Sequence, residues 1–320
     1  MDNQTFGIEI ELHDAEFSKV AAAVVSVVGG RIGRWQNSRE HEVKGVIAAD
    51  GRKWAVVSDS SIGGINTNEL VSPVLYFSDL ETVQKIVRAL REAGCKSDAA
   101  HKCGIHIHVG KDKHSPRSVV NLINIFATRQ NLIYKALAVD NERVGYCKQL
   151  GETFIALVDA KKPKTFEELR ELWYRAFPDI RRNTNTGALV AYPETGHYHQ
   201  SRYQGINLHS LFQGPTVEFR LFNGTLHAGL IRTYILFCLA VSAQAIKLKS
   251  SRSNRRSVEI ENEKYSFRCW LLRLGFIGDY FKNPRTHLLD NLSGDTAWRY
   301  PESRASGQSP VVARARSLNY

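Results

Sequence analysis

Several things are missing from this 320-residue chain, and each absence excludes a class of protein. No run of residues reads as an uncharged membrane span. The nearest, Gly229 to Ile246, is interrupted by Arg232, Thr233, Ser242 and Gln244 and reads as a core helix. The five cysteines, Cys95, Cys103, Cys147, Cys238 and Cys269, are odd in number, scattered and without a CxxC pair. That spacing argues against a disulfide framework and a structural zinc knuckle, and it fits a reducing cytoplasm. Neither GxxxxGK[ST] nor GxGxxG occurs, so a P-loop or dinucleotide-binding turn is not expected. No repeat of solenoid length is present. The first residues enter a strand-like pattern with no basic segment or apolar signal core, which speaks against secretion.

Acid is scarce relative to base. Forty-three Lys and Arg against 32 Asp and Glu give a formal charge of +11. Such a surplus favours nucleic acid, phosphorylated substrates or an acidic protein partner. Much of it lies in Lys247 to Arg256 and Arg299 to Arg316, segments that read as solvated loop and tail. The expected organisation is one catalytic domain over 1–294, containing a basic loop at 247–258, followed by a flexible polar tail at 295–320.

The apolar fraction of 43% is enough for a substantial core. Strict alternation predicts strands over Phe6 to Leu12, Lys53 to Val57, Glu69 to Val71, Gly104 to Gly110, Arg202 to His209 and Thr216 to Phe222. Helical spacing predicts helices over Ala15 to Val28, Asp79 to Ala93, Ser118 to Val139, Thr165 to Ala176, Gly229 to Lys247 and, last, Ser266 to Leu274. Strands and helices do not alternate one to one. The expected fold is therefore α+β, with a mostly antiparallel sheet whose one face lies on helices and whose other lines a site.

Three strands share one design. Glu9-Ile10-Glu11, His106-Ile107-His108 and Glu218-Phe219-Arg220 each place two functional groups at i and i+2, hence on one face, with an apolar residue between them. Paired glutamates repel one another unless a cation stands between them. Carboxylates suit Mg²⁺ or Mn²⁺, and a histidine shifts the preference toward Mn²⁺ or Zn²⁺. An arginine beside such a site can grip phosphate through two parallel hydrogen bonds. Carboxylate, metal and guanidinium together suit phosphoryl transfer.

Ordered along the chain are Phe6-Gly-Ile-Glu-Ile-Glu-Leu12, Asp59-Ser-Ser-Ile62, Glu69-Leu-Val-Ser-Pro73, Cys103-Gly-Ile-His-Ile-His-Val-Gly110, Arg202-Tyr-Gln-Gly-Ile-Asn-Leu208 and Val217-Glu-Phe-Arg-Leu-Phe-Asn-Gly-Thr-Leu226. Together they resemble the amidoligase family of the carboxylate–amine ligase superfamily, over roughly residues 6 to 246. The superfamily is similar to glutamine synthetase and glutamate–cysteine ligase, and such amidoligases are frequent in phage and mobile elements. The resemblance implies a glutamine-synthetase-like catalytic domain. It also implies ATP-dependent amide formation through an acyl phosphate, with Mg²⁺ or Mn²⁺.

Carried over residue by residue, it makes Glu9, Glu11, Glu69, His106 and Glu218 metal-site residues. Arg202, Asn207, Arg220 and His108 become contacts for nucleotide or phosphate. Arg220 and Arg202 would offset charge on the moving phosphoryl group, and Asp59 would orient or deprotonate the amine. The competing account of Asp59 is a turn residue beside Ser60 and Ser61. The carboxylic acid and amine could be small molecules or groups on a macromolecule, and an assembly of several copies is compatible with the resemblance.

Three other readings compete. A barrel amidohydrolase would carry a His pair on its first strand and regular βα alternation, and here both are missing. A two-metal nuclease fits the positive charge and paired acids but leaves the Glu-x-Arg strand unexplained. A non-catalytic nucleic-acid-binding protein would use the basic segments, against the repulsion of the clustered acids.

Overall fold

The computed structural model describes residues 1–37, 40–250 and 262–299. An eight-stranded antiparallel sheet is its centre. The strands are β1 (Phe6–Leu12), β2 (Arg31–Gln36), β3 (Glu42–Ile47), β4 (Lys53–Ser58), β5 (Asn68–Val71), β6 (Gly104–Gly110), β9 (Ile206–Asn207) and β10 (Thr216–Asn223). A separate hairpin pairs β7 (Ile180–Arg182) with β8 (Leu189–Ala191). The main sheet runs β2-β3-β4-β5-β1-β6-β10-β9, so β1, β6 and β10, far apart in sequence, lie side by side. The helices are α1 (Phe17–Val28), α2 (Leu80–Glu92), α3 (Pro116–Ala127), α4 (Gln130–Ala136), α5 (Glu152–Lys161), α6 (Phe166–Ala176), α7 (His209–Gln213), α8 (Ala228–Lys247), α9 (Glu263–Arg273) and α10 (Lys282–Leu289). The α+β class and the antiparallel sheet are as expected from the sequence.

Alternation in the central strands decides which face is buried. Phe6, Ile8, Ile10 and Leu12 of β1, Ile105, Ile107 and Val109 of β6, and Val217 and Phe219 of β10 are all buried in one core. The helix α8 is long and apolar enough to cross a membrane, but 67% of that stretch is buried inside the molecule. It packs against α2, α3, α10 and β6, which is the behaviour of a core helix. The α1 helix stops where Gly29 and Gly30 adopt positive φ. A Cβ on Gly30 would fall 2.1 Å from the Ile47 carbonyl oxygen, so only glycine lets the chain pass there.

Some elements differ from the sequence pattern. The single helix expected over 118–139 is two, α3 and α4. Ser115 caps α3 through the Ser118 N–H, and Pro116 occupies its first turn. The break follows Thr128, whose hydroxyl bonds back to the Asn124 and Ile125 carbonyls, while Arg129 leaves the helical region at φ −138. The expected strand over 202–209 shrinks to Ile206–Asn207. Before it lies a 3₁₀ turn, Gln200–Arg202, and after it α7. The reason is local, because the Asn207 carboxamide oxygen accepts from the His209 N–H and turns the chain out of the sheet. The helix expected at 266–274 begins at Glu263, capped by Asn262, and is followed by α10. The basic loop falls largely, and the tail largely, outside the described residues.

Candidate functional site

Cross-strand register brings the paired motifs together. Glu9 faces His106 across β1 and β6, Glu11 faces Glu69 across β1 and β5, His108 faces Glu218, and Glu218 faces Asn207. Residues opposite one another share a face of a sheet, so five strands present these side chains from the face opposite the core. A β-bulge interrupts β10 between Phe219 and Phe222. Glu218 and Arg220 share the site face by alternation, and the extra residue follows Phe219. It returns Phe222 to the core, where its ring stacks on Tyr234 at 4.4 Å.

The cluster is dense. His106 Nδ1 lies 3.0 Å from Glu9, 3.7 Å from Glu218 and 3.8 Å from Glu69. Its Nε2 is 3.4 Å from Glu11. His108 Nε2 lies 3.1 Å from Glu9, and its Nδ1 is 3.0 Å from the Thr216 hydroxyl. Arg220 donates to Glu218 at 2.5 Å, and the Asn207 amide donates to the other Glu218 oxygen at 2.7 Å.

Two groups of donors, Glu9/Glu69/His106 and Glu9/His108/Glu218, each converge to within 4.8 Å. Glu9 belongs to both, so the arrangement suits two neighbouring cations bridged by one carboxylate. The chemistry of the donors supports this. His106 turns its Nδ1 toward Glu9 and Glu69, and His108 turns its Nε2 toward Glu9, so each group offers one imidazole nitrogen beside carboxylate oxygens.

Electrostatics separates Glu218, Glu9 and Glu69. Burial raises the Glu218 pKa, but Arg220, His108 and His106 outweigh it and hold the group down at about 2. Burial acts the same way on Glu9, and His108 and His106 hold it well below the usual carboxylate range. Glu69 goes the other way, because burial and then the charges of Glu9 and Glu11 push it well up. His108 is lowered by burial and raised more strongly by Glu9 and Glu218, to about 9. Glu69 is thus the acid with the most to gain from a neighbouring cation.

The structure redistributes the expected roles. Glu11 joins neither donor group. Its Oε2 instead accepts from the Gly104 N–H and lies 3.4 Å from the guanidinium of Arg143. His108, expected at the nucleotide, is a member of a donor group, and Asn207 holds Glu218 in place. Asp59 accepts from the Ser61 N–H, and its charge also reaches Glu69. Arg202 sits on the 3₁₀ turn. It donates to the His197 carbonyl and lies over Tyr198 and Tyr203, and none of its hydrogen bonds or ion pairs among the described residues reaches the cluster.

Sequence reasoning missed Arg143. It is 1% exposed, sits on the 3₁₀ turn Asn141–Arg143, and donates to the Lys102 and Arg220 carbonyls as well as to Glu11. Its guanidinium occupies the space beside Gly104, where a Cβ would lie 2.1 Å from Nη1. The glycine in Cys-Gly-Ile-His was the available signal, since a glycine inside a strand often marks a close approach.

No curated protein matches this chain. A family model described as "Putative amidoligase enzyme" matches residues 2–242, a span that holds every member of the cluster. The chain belongs to the amidoligase family, and that makes it a ligase-type, amide-forming enzyme.

Proposed function

We propose that this amidoligase joins a carboxylic acid to an amine at the expense of ATP, through an acyl phosphate. The observation that carries the reading is Glu9, shared by two convergent donor groups with Arg220 beside them. Mg²⁺ or Mn²⁺ held by Glu9, Glu69, His106, His108 and Glu218 would neutralise the polyphosphate. Arg220, fixed by Glu218, offers its remaining donors to the phosphoryl oxygens. The substrate carboxylate attacks the γ-phosphorus and ADP leaves, and the amine then displaces phosphate to give the amide. Asp59 at the rim is the residue we assign to orient or deprotonate the amine. Arg202 joins the nucleotide only if the 200–203 turn swings inward, and we give it the role of an outer phosphate contact.

The substrates carry a carboxylate and an amine, free or on a macromolecule. The surplus of positive charge would serve to dock an acidic partner such as a nucleic acid. A reducing cytoplasm, the host's if the chain is phage-encoded, is the compartment that suits its five free thiols.

Calorimetric titration of ATP, with and without Mg²⁺ or Mn²⁺, tests the reading on the wild type and Glu9→Gln. Metal-dependent binding in the wild type and its loss in the variant are expected. Absence of ATP binding with either metal would overturn the ligase mechanism and turn attention to hydrolysis.

A further inference from the structure

Beyond the end of β1 lies a second convergence of ligating groups, which the amide-forming chemistry does not use. His13 Nε2 lies 2.7 Å from one oxygen of Asp98, and His101 Nδ1 lies 2.8 Å from the other. The three donor atoms fall within 4.8 Å of one another, and the two imidazoles stack at 3.8 Å. Two rings aimed at a single carboxylate are an unusual way to satisfy two histidines.

The scaffold is built around the pair. His13 is 2% exposed and is fixed by two backbone hydrogen bonds to Lys96. Asp98 caps the 3₁₀ turn Ala99–His101 through the His101 N–H. The Gly63 N–H donates to the His101 carbonyl. Gly64, at φ +97, leaves room for both side chains, since a Cβ there would lie 3.3 Å from His101 Cδ2 and 3.3 Å from His13 Cβ. On the far side of His13, Nδ1 lies 3.8 Å from Asp14, itself paired with Lys96. A carboxylate behind a ligating imidazole is the usual device for setting its tautomer. The side chains of Asp98 and His101 are 44% and 43% exposed, so an ion can enter and water can complete its shell.

We propose that His13, Asp98 and His101 bind one divalent transition metal, of which Zn²⁺ is the best match. Two imidazole nitrogens and one carboxylate oxygen suit Zn²⁺ or Co²⁺ better than Mg²⁺. His13 ligates through Nε2 and His101 through Nδ1. The ion clamps two segments, the end of β1 and the 94–103 connection leading into β6, and the 59–67 loop that carries Asp59 rests on both through the Gly63 N–H and the Ile65 and Asn66 carbonyls. It is therefore a structural site beside the carboxylate cluster, with no ligand in common.

Zn²⁺ and Co²⁺ titrations of chelator-treated protein decide this, on the wild type, His101→Ala, Asp98→Asn and Glu9→Gln. Co²⁺ absorption in the visible reports the coordination, and circular dichroism reports the fold. Expected is one equivalent, beside any taken by the carboxylate cluster, that is retained in Glu9→Gln and weakened by at least about tenfold in whichever of His101→Ala and Asp98→Asn keeps its fold. Protection of the 59–67 loop from protease by Zn²⁺ should disappear with it. Equal affinity in the wild type and a folded His101→Ala or Asp98→Asn would overturn the proposal. So would tight binding lost in Glu9→Gln alone, because the ion would then belong to the carboxylate cluster.

Discussion

The inner and outer strands of the sheet obey the same alternation, yet they carry very different solvent faces. One register row crosses the sheet from Gly33 through Gly45, Ala55 and Val71 to Glu9 and His106. At its outer end the face carries glycine and alanine, with Lys53 over the Trp35 ring at 5.6 Å and Val57 exposed. At its inner end four carboxylates, two histidines and two arginines crowd together. Alternation decides which side a residue faces. Whether that side is a site depends on how many charged groups the register stacks into one place, where they desolvate and shift one another.

Predictions that sharpen this contrast begin at the inner end. Under the proposed mechanism, Glu218→Gln is expected to reduce ATP turnover by about 100-fold or more with the fold retained, because it would remove a proposed cation ligand and the anchor of Arg220. Turnover assays beside circular dichroism check this, and near-normal turnover would remove Glu218 from the machinery. Next in size is Gly104→Ala, which drives a methyl group into the Arg143 guanidinium. Unfolding in urea should show a loss of about 3 kcal/mol. A loss below about 0.5 kcal/mol would mean that Arg143 moves freely.

Glu69→Gln should act in two directions. In the fold Glu69 keeps its proton above the ordinary carboxylate range, so its contribution to stability falls as pH rises through that window. The variant is therefore expected to melt higher than the wild type at neutral pH without metal, and to bind Mn²⁺ more weakly. A lower melting temperature would contradict the repulsion argument. His108 gives the complementary signature. Its pKa is raised from 6.5 to about 9, so its stabilisation is complete below 6.5 and lost as pH climbs toward 9. His108→Asn should flatten that part of the pH–stability curve of the metal-free chain, and an unchanged slope would speak against the pairing with Glu9 and Glu218. At the outer end, Lys53→Ala should shift stability by no more than about 0.5 kcal/mol. A large effect in thermal melts would show that the outer face has a partner of its own within the fold.

Much of the inner site was legible because i and i+2 spacing on a strand is a statement about geometry. Glu9, His106, His108, Glu218 and Arg220 could be placed on one face without knowing how the strands pair. Pairing itself was not legible, because the neighbours of β1 are 60 and 100 residues away in the chain. The separate duties of Glu9 and Glu11 therefore emerged only when Gly104 and Arg143 were seen beside Glu11. Arg202 lies on a turn instead of the expected strand for a local reason, since a two-residue strand is too short to impose alternation on its flanks. The β2–β3 hairpin escaped notice because its charged residues and glycines mask the period, and α10 because its eight residues are mostly polar.

The keyhole at Gly104 also bears on how such a chain can diverge. Any side chain at 104 claims the volume that the Arg143 guanidinium now fills, and loss of Arg143 leaves that volume vacant behind Glu11. Neither position can change harmlessly alone. Across relatives the two should drift as a pair, and a chain that carries alanine or serine at the first is expected to have given up the arginine at the second.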